Sequence, residues 1–600
     1  MTISGRVAPS LLALLVSTAL LGAASPVGDR TDWEERLARS IPTPEEVVVA
    51  RSAGGVVATL NEEATRVATR VLEEGGNAID AAAAAWMVLA VVSPNQTGLG
   101  GGGYIHYHDA SSNQTYFVDA NVRAGMNASP TSLLDETGEP LSNSALRARG
   151  MGVGVPGMVR GFDVALRRWG TRHFDELAGS AILLAENGWE VDRELSLRIH
   201  QTHENLDEHA RAIYLPEGEP LEPGDLLVQP QKARALRLIA EGGSEAFYQG
   251  PIAEAVVAHV RGLGGFLTLE DFHRYNASVD VPLRFDFGEY QIATNPNIQG
   301  GATLATLLGL LAPLDLLEHD RRSAAHYHLL MEATRLASAG TNDYFADPEF
   351  VDRPSQALRS RGFLESRWSQ FDPERRNSDI DATNPWDFQV GGPYRTRGHH
   401  SDYDETAVAD KRDEGEWDEG TDHFTIVDRH GNVVAVTSTL GTAWTAGHMV
   451  PEYGFMLNVT GGYFDGEPGG AHEIRGGKRP RSSMTPTLVF RDGEPMMTVG
   501  SPSPAGMQHV QVLLNVLVHG MDLPHALAEP RILPGGGWED GIPMEVLEEL
   551  RSRGHEMDEE WGAVGAVSVV LKDGHEWIGA ADPRRDGVAM GAGSGGRIDD

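Results

Sequence analysis

Thr421-Asp422 leads into His423-Phe424-Thr425-Ile426-Val427-Asp428, which alternates as a β-strand. Arg429-His430-Gly431-Asn432 supplies turn residues, and Val433-Val434-Ala435-Val436-Thr437-Ser438-Thr439-Leu440 is a second β-rich run. Together they predict a hairpin with Thr421 just before its first strand. Upstream, periodicity fades from about Asp372, and Ser401 to Gly420 is densely acidic, with only Lys411 and Arg412 against nine carboxylates. That composition predicts an exposed linker. If the chain is cut after Gly420, Thr421 becomes a hydroxyl nucleophile that carries its own α-amine. An amine with a pKa near about 8 suits a general base at neutral pH.

Composition narrows the chemistry further. The chain has 600 residues, 41% of them hydrophobic, enough for a large core. It has no Cys, which excludes disulfides, thiol nucleophiles and Cys-ligated metals. A formal net charge of -37 opposes nucleic acid and anionic lipid as main partners. Arg6, then the mostly apolar Leu11 to Ala24 ending in small residues, has the layout of a secretory signal peptide over residues 1–24. No later run is long enough to span a membrane.

Residues 62–92 read as an amphipathic helix, a Gly75-Gly76-Asn77 break, and an alanine-rich helix from Ala78 to Val92 whose apolar circumference belongs in a core. The Gly98–Gly103 run contains G-x-G-x-x-G but follows a helix and precedes a strand, the reverse of a dinucleotide site. It is read as a turn allowing close backbone approach. His106 and His108 share a strand face without a third ligand at a recognisable spacing, so they are read as strand residues. No P-loop, H-E-x-x-H or G-x-S-x-G is present, and no metal or cofactor is expected.

The Thr421 hairpin resembles the processing-site hairpin of γ-glutamyltransferases. So do Gly76-Asn77-Ala78-Ile79-Asp80-Ala81-Ala82, Gly154-Val155-Pro156-Gly157-Met158-Val159, Arg479-Pro480-Arg481-Ser482-Ser483-Met484-Thr485-Pro486-Thr487 and Ala581-Asp582-Pro583-Arg584-Arg585-Asp586-Gly587, a likeness over roughly residues 45–590. The resemblance implies an α+β fold, the four-layer αββα sandwich of N-terminal-nucleophile hydrolases. It also implies self-cleavage between Gly420 and Thr421 into a large subunit of residues 25–420, with a flexible acidic tail over 372–420, and a small catalytic subunit of residues 421–600. The activity implied is a secreted or periplasmic amidohydrolase or acyltransferase working through an acyl-enzyme on γ-glutamyl or related acyl amides such as glutathione. A glutaryl-type acylase and an inactive binding protein are the alternatives.

The same resemblance implies site roles. Thr439 would hydrogen-bond the nucleophile, and Arg123, Ser482 and Ser483 would hold the substrate carboxylate, although Arg123 lies about two residues late and Asn121 holds the in-register position. The Asn, Gln and Asp that hold the glutamyl ammonium in relatives appear here as Gly441, Thr460 and Tyr463. That pocket lacks its acid unless Glu452 or Asp465 substitutes, and it would better suit an acyl group without the amine. At the oxyanion position, Ser503-Pro504 replaces two glycines, and proline has no N–H to donate. Only 17 residues separate Phe464 from Ser482, where some relatives carry a lid, so an open site is expected.

Overall fold

The computed structural model describes residues 41–381, 383–390, 419–442, 444, 447–502, 507–557, 559–560 and 565–593. The segment 1–24 read as a signal peptide, and most of the acidic linker, lie outside the described residues.

Fourteen strands build the centre: β1 (Val49–Ser52), β2 (Gly55–Thr59), β3 (Gly102–Asp109), β4 (Gln114–Ala120), β5 (Ser278–Asp280), β6 (Leu283–Phe287), β7 (Tyr290–Thr294), β8 (Glu419–Asp428), β9 (Val433–Thr442), β10 (Thr487–Arg491), β11 (Glu494–Gly500), β12 (Ser568–Asp573), β13 (Glu576–Ala581) and β14 (Val588–Gly591). They form two seven-stranded sheets, ordered β14-β2-β8-β9-β3-β4-β5 and β1-β13-β12-β11-β10-β7-β6. Neighbours run antiparallel throughout. The predicted hairpin is β8–β9, in the middle of the first sheet. In that sheet β8 and β9 lie between β2 and β3; in the other, β10 to β13 lie between β1 and β7.

Side-chain alternation assigns the layers, because successive strand residues face opposite sides of a sheet. Phe424, Ile426, Val434, Val436 and Ile105 pack with the helices α1 (Glu62–Glu73), α2 (Ala78–Val92) and α3 (Met158–Trp169). Their alternates Val427, Val433 and Ala435 meet Leu488, Phe490, Val570 and Trp577 of the second sheet. The far side of that sheet, through Ile292, Val489, Val499 and Val569, packs on Leu307, Leu330 and Leu513. These belong to α4 (Gln299–Leu311), α5 (Ala324–Ala339) and α6 (Met507–Leu517). The result is helix, sheet, sheet, helix: the αββα sandwich.

Every residue of α2 is buried, as an all-round apolar helix requires. Its start is tied to the hairpin. The Asn77 side chain accepts the Ile79 and Asp80 N–H groups, and Asp428 in the hairpin turn accepts the Ala78 N–H at 3.0 Å. Asp428 also accepts His430 N–H, Asn432 N–H and the Asn432 side-chain amide. Asp428→Ala would leave these four donors without their shared acceptor. It is expected to lower the unfolding free energy of the uncleaved chain by about 3 kcal/mol. Urea denaturation measures this, and a loss below about 1 kcal/mol would contradict it.

Residues 372–381 and 383–390, read from the sequence as the start of the flexible tail, are mostly exposed but tethered to the body of the fold. Asn377 N–H donates to Glu332, Arg376 N–H donates to Arg553 O, and Pro385–Phe388 forms a short helical turn. The segment lacks hydrophobic periodicity because it is held by polar contacts. Among the described residues no helix is long and apolar enough to cross a membrane.

Candidate active site

The β8–β9 ladder is regular until its register shifts at Gly420 and Thr421, with Thr421 opposite Thr439 and Gly420 opposite Gly441. Leu440 is therefore an extra residue. Its N–H donates to Gln96 O and its carbonyl accepts Val459 N–H, so the bulge is secured on both sides. The glycine run makes room behind it. A Cβ on Gly101 would lie 2.3 Å from Thr439 O, and one on Gly100 2.1 Å from Met456 O.

The bulge joins two buried hydroxyls. Thr421 Oγ1 donates to Thr439 Oγ1 at 2.8 Å, and Gly441 N–H donates to the same oxygen at 2.8 Å. Thr439 has one proton to give, and Gly420 O at 2.8 Å is a better acceptor than Gly441 O at 3.4 Å. A relay thus runs from the Thr421 hydroxyl through Thr439 to the carbonyl of the bond ahead of Thr421. Arg585, from the C-terminal motif, donates to Thr421 O and to Gln96. Its neighbour Arg584 is instead locked onto Glu539 and Asp582 in the core.

Asp422 points to the opposite, helix-facing side. Burial pushes its carboxyl up from 3.8 to about 7, with Arg585 pulling the other way. A carboxyl with a raised folded pKa holds its proton in the folded state after the unfolded chain has lost it. Stability therefore falls as pH rises from about 4 to 7 and is level above. Asp422→Asn should make the uncleaved chain more stable than its parent at pH 8 by about 2–4 kcal/mol and change it little at pH 4. Equal effects at both pH values in thermal melts would refute the assignment.

The other expected site residues are spread around this centre. Arg123 is engaged: its Nη1 and Nη2 donate to Glu349 at 3.0 and 2.5 Å, and Nη1 also donates to Gly477 O. Arg123 holds the Glu349 carboxyl down at about 2. The arginine is a carboxylate clamp filled by the chain's own carboxylate. Asn121 follows the Ala120 that pairs with Gly103, next to the Gly102 opposite Thr439, and its amide donates to Pro480 O. Ser482 and Ser483 are half-buried, with Ser482 Oγ accepting Met484 N–H. Thr460 donates to Asn458, which clasps Gly100 and Gly154.

Gly441 has φ +118, and a Cβ there would lie 2.9 Å from Val459 Cγ1, so an Asn would be strained. Burial pushes the Tyr463 phenol up to about 12, and the charges opposing that shift are Arg147 and Arg481. Asp465 faces Arg481 at 3.6 Å, and Glu452 is exposed near His259. Ser503, Pro504 and Ala505 lie outside the described residues. His106 and His108 are buried strand residues bonded to Pro486 O and Thr115.

One group escaped the sequence. Arg147, on the short helix Asn143–Ala148 that packs against Thr460–Tyr463, donates through Nη2 to Thr442 Oγ1 at 3.3 Å. Among the described residues no carboxylate pairs with it. A lone arginine on a short helix carries no signal of its own; only the fold brings it here.

The family model for gamma-glutamyltranspeptidase matches residues 64–592. The chain belongs to the γ-glutamyltranspeptidase family. A glutathione hydrolase proenzyme from Bacillus subtilis (strain 168) is 37% identical over 548 residues, 90% of this chain and 91% of the relative. The acylase ACY 1 proenzyme of Pseudomonas sp. (strain V22) is 30% identical, over 91% and 95% of the two chains. The cephalosporin acylase structure from Bacillus halodurans superposes with a TM-score of 0.77 over 92% of this chain and 97% of that one, at 22% identity, which bears on the fold alone. This γ-glutamyltranspeptidase-family member is accordingly an enzyme made as a self-processing precursor, with the N-terminal-nucleophile fold and acyl-transfer hydrolase chemistry that the resemblance implied.

Proposed function

We propose that this γ-glutamyltranspeptidase-family precursor cuts itself between Gly420 and Thr421 and then hydrolyses or transfers acyl groups that end in a carboxylate. The relay from Thr421 through Thr439 to Gly420 O carries the proposal. Thr421 Oγ attacks the Gly420 carbonyl carbon as its proton passes toward Thr439, and the hydroxyl of Thr439 steadies the oxygen. The Gly420 C–N bond breaks to leave an ester on Thr421 Oγ and a free Thr421 amine. Water then cleaves the ester, giving a Gly420 carboxylate and the mature N-terminus.

In the mature enzyme the Thr421 amine takes the hydroxyl proton while Oγ attacks the substrate amide, then protonates the departing amine. Water or a second amine resolves the acyl ester. Residues 25–420 and 421–600 would be the two subunits. The segment 1–24 would direct the protein to the periplasm or outside, in keeping with a mature chain that works on small-molecule or peptide amides.

Residues 419–420 pair with Gly441 and Thr442, so cleavage frees a slot bordered by Thr442, Thr460, Tyr463 and Arg147. Its charge is cationic, and Asp465 already faces Arg481. This favours a glutaryl-like acyl group over γ-glutamyl, whose ammonium would meet no unengaged acid among the described residues. The γ-glutamyl reading, glutathione included, is the second, supported by the 37% identity to the glutathione hydrolase proenzyme. Release of nitroaniline from glutaryl and γ-glutamyl anilides by the processed protein tests both; no turnover of either, with Thr421 exposed, would leave a binding protein.

A further inference from the structure

We propose that Asp207, His259 and His448 form a divalent-cation site that bridges the two halves of the chain. Their ligand atoms lie within 4.8 Å of one another in a half-buried cluster. Each of the three can turn a lone pair toward a shared cation. His448 Nε2 contacts Arg147 O at 3.1 Å; a carbonyl only accepts, so the proton sits on Nε2 and the Nδ1 lone pair is free. This is how histidine ligands are commonly oriented, with the far nitrogen donating to a backbone carbonyl. That Nδ1 faces Asp207 Oδ2 at 3.6 Å, an ion-pair contact when the ring is protonated and, with the neutral ring, close to the roughly 3.4 Å edge of a tetrahedron with about 2.05 Å bonds.

Asp207 is held in place by neighbours that leave lone pairs on both oxygens: Oδ1 accepts Ala210 N–H and Oδ2 accepts Met449 N–H. His259 Nε2 is buried with no hydrogen-bond partner among the described residues. The His259 and His448 rings sit 5.9 Å apart at 69°, so small side-chain rotations would converge two nitrogens and an oxygen on one ion. Two imidazoles and a carboxylate suit Zn²⁺, with a fourth position left for water. Sequence spacing could not reveal the site, since its donors come from three distant segments. Asp207 and His259 precede Thr421 and His448 follows it, so the ion would tie together the two products of processing.

The test uses processed protein stripped with chelator, titrated with Zn²⁺ by calorimetry and with Co²⁺ by visible absorption. The expected result is one ion per heterodimer, intense four-coordinate Co²⁺ bands, and a higher melting temperature with Zn²⁺. His259→Asn and His448→Asn should each weaken binding by about 100-fold or more, above what losing only a neighbour of a ligand costs. Wild-type protein that takes up no Zn²⁺, gives only the weak bands of all-oxygen Co²⁺, or binds unchanged in both folded variants would overturn the proposal. The Co²⁺ spectrum decides even if a variant does not fold.

Discussion

Thr421→Ala is expected to remain a single chain after purification and prolonged incubation, while the parent resolves into a large and a small subunit on a denaturing gel. Without Oγ there is nothing to attack the Gly420 carbonyl, and without the cut there is no α-amine, so acyl turnover should fall to background. Thr439→Val tests the relay from the other side. It removes the acceptor for the Thr421 hydroxyl and the Gly441 N–H, and the donor to Gly420 O. Processing should slow by about 100-fold or more, the usual worth of a positioned proton-transfer group. Thr439→Ser keeps the hydroxyl and should stay within about tenfold of the parent. A Thr421→Ala chain that still splits at the same bond would show that another protease makes the cut.

Specificity should respond as strongly. Arg147→Met removes the cation that donates to Thr442, and the loss of a charge-assisted hydrogen bond to an ionised group is worth about 1.5–3 kcal/mol. The kcat/KM for a glutaryl anilide should therefore drop by about 10-fold to 150-fold, with a butyryl anilide, which has no carboxylate, hardly affected. Tyr463→Asp should move the preference toward the γ-glutamyl compound by supplying an acid for its ammonium. Wild-type enzyme that already prefers γ-glutamyl by about tenfold or more would end the case for a glutaryl-like acyl group.

The parts of this molecule that repeat a simple pattern were readable in its sequence. Alternation through Phe424, Ile426 and Val427 disclosed the hairpin, and the unbroken apolar surface of Ala78–Val92 disclosed a helix buried on all sides. Four layers do not follow from alternation alone, because both faces of β8 and β9 are apolar and only the resemblance said what covers each. The pairing of Thr421 with Thr439 depends on a one-residue bulge at Leu440, which no periodicity announces. Arg123 looked like a free clamp in the sequence because its occupant, Glu349, is more than two hundred residues away. Arg147 and the Asp207, His259 and His448 cluster stayed hidden for the same reason: long-range contact is written in the fold.

The strand order sets how the mature enzyme would behave on dilution. Within the two seven-stranded sheets, every strand after Thr421 except β14 lies in a block whose two edges are hydrogen-bonded to strands from before it, β2 and β3 in one sheet and β1 and β7 in the other. Breaking one peptide bond changes the connectivity and leaves these ladders intact. The two polypeptides would therefore not separate and recombine as ordinary partners do: specific activity should be independent of concentration, and mixing two differently labelled processed samples should yield no hybrids without unfolding. Evolution acting on such a pair selects it as one folding unit, since neither piece retains a complete sheet to carry elsewhere.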